Sequence, residues 1–185
     1  MGALCFAAPL SKEIIMLETE RLILRHPEVA DADEYLAICN SEFVMRYNAM
    51  TPGTKERVEE RFSKPCEDTW ILVHKASGKM IGAVFTEEDS IRWGVESIEL
   101  SYFLTEDFSR QSYMKEALHR LIDHLFANQN LTCVAARSFA PNTASRKLLE
   151  SLGFHCDGYI PMCVKGYQDK IFDDTLYSVF REDWK

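Results

Sequence analysis

The sequence predicts an α+β (mixed α/β) fold in which a meander of short strands runs into a long helix, followed by a strand, a second helix and two closing strands. Three observations carry this. Apolar runs at Trp70 to His74 and Met80 to Phe85 are joined by KASGK, and SIELSYFL (Ser97 to Leu104) reads as a third strand of the same meander. From Tyr113, YMKEALHRLIDHLF repeats its apolar residues with the helical period. Thr132 to Ser138 then returns as a strand. A strand, helix and strand in one sheet form a crossover connection, so the strands on either side of the long helix are expected to be parallel.

Each element has a local cause. TERLILR, Thr19 to Arg25, sets Leu22 and Leu24 against Arg21, Ile23 and Arg25, the alternation of a first strand with one better-buried face. Asp31 followed by Glu34 has the spacing of a capping box, and Tyr35, Leu36 and Ile38 give the helix behind it an apolar face. A second helix is expected from Thr54 through Phe62. Gly78 supplies the positive φ that the hairpin turn needs. TEDFSRQS is a polar loop leading into the long helix. Pro141 and Asn142 start a shorter helix, TASRKLLESL, which Gly153 is placed to end as a left-handed cap. Phe154 to Val164 and Lys170 to Phe180 read as the last two strands.

Composition narrows the function. The chain has 185 residues, 21 Lys plus Arg and 29 Asp plus Glu, a formal net charge of −8 that repels phosphate backbones and anionic lipid. Neither a nucleic acid nor a membrane is expected as partner, whereas a cationic or amine-bearing molecule suits the surface. No apolar run approaches the roughly 18 residues of a membrane helix. Six cysteines lack any C-x-x-C pairing and read as reduced thiols, so a soluble, cytoplasmic protein is expected. Residues 1–16 read as a flexible extension, with Met16 an alternative start, and residues 17–185 as one domain. His26, His74, His119, His124 and His155 have no metal-ligand spacing, so no metal is expected. Glu87, Glu88 and Asp89 read as a solvated strand end.

Two segments have the physical character of binding sites. A loop entering a helix presents unpaired amides and the positive end of the helix dipole, which together suit a pyrophosphate. TEDFSRQS before Tyr113 is such an entry. Asn142 is placed as an N-cap with Ser145 in the first turn, and capping alone would account for the asparagine.

TERLILR, SYFLTEDFSRQSYMKEAL, NTASRKLLESLGF and DDTLYSVFREDW, in that order, resemble the GNAT superfamily of N-acetyltransferases, in particular its ribosomal-protein (Rim-like) group. The resemblance covers nearly everything after Met16 and is most specific at Asn142, Ser145 and Gly153-Phe154. It implies a GNAT fold with one parallel strand pair splayed to admit coenzyme A. Acetyl-CoA is the implied co-substrate, with no metal, and the implied acceptor is a primary amine on a protein N-terminus or a small molecule. The amine would attack directly in a ternary complex.

By the same resemblance, Ser109, Arg110, Gln111, Ser112, Tyr113 and Met114 form the pyrophosphate loop, and Tyr102, Phe103 and Leu104 supply backbone groups including an oxyanion donor. Asn142 contacts the pantetheine arm, Ser145 lies near the thioester sulfur as a proton donor, and Glu99 matches an acidic position that makes it the candidate base. A plain solvent-facing carboxylate remains the alternative for Glu99, and Tyr177 matches an aromatic read as core. The loop departs from the family pattern, because Ser109, Ser112 and Met114 stand where an Arg, a Gly and a small residue are usual. A serine at positive φ costs on the order of 1 kcal/mol, and a methionine could crowd the phosphates, with Arg110 as a compensating contact. A module with weakened catalysis and a regulatory or coenzyme A-binding role is therefore the rival reading. Acceptor choice is assigned to variable segments such as Ala49 to Cys66 and Met162 to Asp169. Oligomeric state, a homodimer included, is left open.

Overall fold

Turn chemistry and alternation fold the N-terminal part of the chain into a meander. In the computed structural model, which describes residues 15–49 and 52–185, eight strands form one sheet in the order β1-β2-β3-β4-β5-β6-β8-β7. They are β1 (Met16–Glu18), β2 (Leu22–Arg25), β3 (Thr69–His74), β4 (Met80–Glu88), β5 (Ser97–Leu104), β6 (Cys133–Phe139), β7 (His155–Lys165) and β8 (Ile171–Phe180). Neighbours pair antiparallel except β5 and β6, the parallel pair expected from the crossover. Residues 1–14 of the expected extension lie outside the described residues, and Met16 opens β1.

Among the described residues, five α-helices flank the sheet: α1 (Ala32–Cys39), α2 (Glu42–Met45), α3 (Lys55–Phe62), α4 (Tyr113–Asn128) and α5 (Thr143–Ser151). On one face, α4 buries Ala117, Leu118, Leu121, Ile122 and Leu125 against Leu22, Leu24, Leu72, Leu100 and Val134 of the sheet, and Leu149 of α5 joins this cluster. Each fully buried Leu, Ile or Val among them contributes about 1.5–3 kcal/mol of burial free energy. Tyr35, Ile38, Val58 and Phe62, from α1 and α3, pack with Ile71, Ala83, Phe85 and Phe103 on the opposite face. The β5 strand is therefore covered on both sides, with Leu100 and Tyr102 facing α4 and Phe103 facing α1 and α3.

Two of the glycines act as expected. Gly78 sits at φ 68° in the β3–β4 turn and donates to the His74 carbonyl at 2.8 Å. Gly153 sits at φ 87°, where its amide and that of Phe154 satisfy the Glu150 and Leu149 carbonyls, both at 3.1 Å, which closes α5 in a Schellman motif.

Several expectations need correction. Thr19 to Arg25 is not one strand, because the Thr19 amide donates to the Leu22 carbonyl and its hydroxyl accepts from the Leu22 amide, closing a turn between β1 and β2. Leu22 and Leu24 still form the buried face. The capping box involves Glu28 and Asp31, three residues upstream of the expected pair. Asp31 is held there by both guanidinium nitrogens of Arg25 at 2.8 Å, and Glu34 instead accepts from the Met80 amide at 3.1 Å. The short α2 has no counterpart in the sequence reading. Asp89 is not solvated: it is 5% exposed and accepts from the Ile91 and Arg92 amides and the Arg92 guanidinium.

Candidate active site

The parallel ladder between β5 and β6 runs through four pairs, from Ser97 with Cys133 to Leu100 with Ala136, and then stops. Both strands continue, β5 to Leu104 and β6 to Phe139, each held only by its other neighbour, β4 and β8. The result is a gap in the middle of the sheet. Thr105 donates to Ile81 on the β4 side at 2.8 Å. Backbone groups alternate sides along a strand, so those of Tyr102 and Leu104 face the gap.

On the α4 side of β5, the Tyr102 hydroxyl meets the Ser145 hydroxyl at 2.8 Å, linking β5 to the first turn of α5. Burial raises the Tyr102 hydroxyl well above the ordinary tyrosine range, and the bond to Ser145 opposes this. Asn142 is the N-cap of α5, its Oδ1 accepting from the Ser145 amide at 3.2 Å. This holds the asparagine in place and leaves its Nδ2 donor for other work. Tyr177 is core, as read: it is 1% exposed, and its hydroxyl accepts from Arg146 at 3.2 Å.

Glu99 lies on the opposite face of β5 from Tyr102, paired with Glu87 of β4 and Ala135 of β6. It is half-buried, not the open surface carboxylate of the alternative reading. Burial pushes its carboxyl up to about 7, opposed by Arg137 and reinforced by Asp89, Glu87 and Asp174. A carboxylate with that proton affinity can accept a proton near neutral pH.

The loop into α4 is bent by two non-glycine residues at positive φ, Arg110 at 59° and Ser112 at 64°. Ser112 thus adopts the conformation for which a glycine would be favoured. The Glu116 amide bonds to the Ser112 carbonyl at 3.0 Å, and the amides of the residues before it in the helix have no intrahelical acceptor. Arg21 braces this entry from below: its Nη1 donates to the Gln111 carbonyl at 3.1 Å, its Nε to Glu116 at 2.6 Å, and its guanidinium lies 4.1 Å over the Tyr113 ring. Arg110 is exposed and Ser109 half-buried on the same loop. The concern over Met114 is corrected, because its side chain is 6% exposed within the α4 core cluster and turned away from the loop surface.

The structure thus brings Tyr102, Asn142 and Ser145 together at the gap, places Glu99 on its other side, and sets Ser109 to Met114 at the α4 entry. Sequence reasoning missed the hydroxyl pairing of Tyr102. It also missed Arg137 and Asp174, joined at 2.7 Å, and Cys163, whose Sγ lies 3.1 Å from Arg137. A charged residue inside the otherwise small and apolar run CVAARSF was the available signal. Among the described residues no acidic, histidine and cysteine cluster could hold a metal ion, the cysteines are unpaired, and no helix is long and apolar enough to cross a membrane.

Residues 21–155 match the acetyltransferase (GNAT) domain family, so the chain belongs to that family and is an acyltransferase enzyme. It is 24% identical over 188 residues to the uncharacterized N-acetyltransferase YoaA of Bacillus subtilis (strain 168), covering 90% of this chain and 97% of that one. Among solved structures it resembles the ribosomal-protein-S5-alanine acetyltransferase of Vibrio fischeri, with TM-score 0.81, 23% identity, and 92% and 99% of the two chains covered. It also resembles the spermidine N-acetyltransferase of Vibrio cholerae in complex with CoA and spermine, with TM-score 0.77, 19% identity, and 89% and 98% covered. At these identities the solved structures establish the shared fold.

Proposed function

We propose that the protein is a cytoplasmic, acetyl-CoA-dependent N-acetyltransferase in which residues 17–185 form one catalytic domain that acetylates a primary amine by direct attack in a ternary complex. The observation that carries this reading is the interrupted β5–β6 ladder, with a half-buried carboxyl, Glu99, on one face of β5 and a hydroxyl pair, Tyr102 and Ser145, on the other. A thioester threaded through the gap would meet the amine on one side and release its thiol on the other.

The residues fit that co-substrate. The α4 entry offers its first-turn amides to the pyrophosphate with Arg110 beside them, and Asn142 Nδ2 can donate to the pantetheine arm. The bound acetyl-CoA supplies an activated acyl group. Glu99 takes the proton from the attacking amine, directly or through water. The amide of Tyr102 or Leu104, facing the gap, donates to the thioester oxygen as negative charge develops there. Ser145, backed by Tyr102, delivers a proton to the departing sulfur. The Rim-like resemblance favours a peptide N-terminus as acceptor, and a small-molecule amine is the second class.

Calorimetric titration with acetyl-CoA, followed by an acetylation panel containing peptides with free N-termini and simple amines, tests this. Saturable binding and turnover of at least one amine are expected. No binding at millimolar acetyl-CoA would remove the function.

The α4 entry gives a separate prediction. Ser112→Gly should tighten acetyl-CoA binding or raise the melting temperature, worth up to about 1 kcal/mol, because φ 64° is costly for serine and free for glycine. Met114→Ala should do neither: it empties a core position, at about 2–5 kcal/mol of stability. Weaker binding in Ser112→Gly would show that the serine hydroxyl itself contacts the ligand.

A further inference from the structure

Where β6 leaves β5, its first residue no longer paired to β5 is Arg137, still held by Leu176 of β8. Arg137 shares a face with Ala135, the residue paired with Glu99, and so lies diagonally across from Glu99. Its Nε donates to Asp174 Oδ2 of β8 at 2.7 Å and its Nη2 to Cys163 Sγ of β7 at 3.1 Å. Asp174 is 2% exposed, and its other oxygen, Oδ1, is buried without a hydrogen-bond partner. A carboxylate so enclosed depends on its one cationic neighbour. A row of alternating charge, Glu99, Arg137, Asp174, therefore crosses three strands beside the gap.

We propose that Arg137 is a positioning residue for acetyl transfer: clamped by Asp174, it holds a fixed positive charge beside Glu99 and so sets the pH at which Glu99 can accept the proton of the acceptor amine. This rests on Glu99 as the base. The charged groups acting on Glu99 come from every strand around it: Glu87 at the end of β4, Asp89 in the loop after it, Arg137 of β6 and Asp174 of β8. Arg137 is the one cation among them. It offsets the burial that pushes Glu99 up to about 7, so without it the carboxyl would hold its proton to still higher pH. Asp174 acts in two ways: it anchors the guanidinium, and its own charge raises Glu99.

Two substitutions should thus move the pH profile in opposite directions, which a merely structural role would not do. With one amine throughout, so that its own ionisation is common to all, kcat/KM is measured against pH for the wild type and for Arg137→Met, Arg137→Lys, Asp174→Asn and Glu99→Gln. The wild-type profile should fall on the acid side near pH 7, where Glu99 protonates. Arg137→Met should move that limb up by about one pH unit or more, Asp174→Asn should move it down, and Arg137→Lys should leave it near its original place. Glu99→Gln should abolish it.

If Glu99→Gln retains the limb, Glu99 is not the base. If Glu99→Gln removes the limb but Asp174→Asn and Arg137→Met leave it in place, the base stands and the role of Arg137 is overturned. Should Arg137→Met fail to fold, Arg137→Gln takes its place: it deletes the charge while keeping a side-chain donor toward Asp174, and an unmoved limb refutes the inference.

Discussion

Replacing Glu99 with glutamine should lower kcat/KM for the best amine by about 100- to 10,000-fold, the range typical of losing a positioned general base. The shape of β5 is kept, so the loss reflects proton transfer. Stability provides the control, because it moves the other way. Burial raises the Glu99 carboxyl from its ordinary 4.5 to about 7, so the folded protein binds this proton more tightly than the unfolded chain does. Stability from this group is therefore complete below about pH 4.5 and is lost as pH rises toward 7. A neutral glutamine escapes that loss, so above pH 7 the variant should melt no lower than the wild type. Full activity in a well-folded Glu99→Gln would move the proton acceptor to water or to another group.

Ser145→Ala should reduce kcat by about 100-fold, the lower end of the general-acid range because a thiolate is already a fair leaving group, and should leave KM for acetyl-CoA nearly unchanged. The structure adds a cost that the position of Ser145 in α5 does not reveal. Its hydroxyl is the partner of the part-buried Tyr102 hydroxyl, so the alanine variant takes away that group's partner, at about 1 kcal/mol of stability. Tyr102→Phe combined with Ser145→Ala removes both partners and should recover part of the lost stability without recovering turnover. Asn142→Ala gives the contrasting pattern: a raised KM for acetyl-CoA and about 1 kcal/mol lost with the α5 cap. Full kcat in Ser145→Ala, with chemistry rate-limiting, would reduce Ser145 to a structural partner of Tyr102.

What was legible in the sequence was whatever depends on nearby residues. Leu22 with Leu24, Gly78, Gly153 and the periodic apolar face of α4 each act through contacts a few positions away or through a repeating pattern, and the structure has them as read. Asn142 as a cap is of the same kind. The crossover rule carried one long-range feature, the parallel pair, because handedness and chain connectivity leave few alternatives. Side chains that meet only through the sheet were hidden. Arg137 and Asp174 are 37 residues apart, and Tyr102 and Ser145 are 43 apart. Met114 misled for a related reason: its place in a family pattern suggested loop crowding, whereas its phase on α4 turns it into the core. Asp89 sits at the end of an acidic run yet is buried, since Arg92 folds back onto it and reaches on to Asp157.

The gap between β5 and β6 also bears on how the molecule is made. Strand order follows chain order from β1 through β6, so everything on the β5 side of the gap, with α1 to α3, has been synthesised by Leu104. During synthesis these neighbours can pair and collapse early, since their contacts close short loops in sequence. The opposite wall comes from β6, α5 and β8, the last of which ends at Phe180. The proposed site is consequently complete only once β8 has been made. A chain released before β8 would own Glu99 and Tyr102 but lack Asp174, and with it the anchor for Arg137.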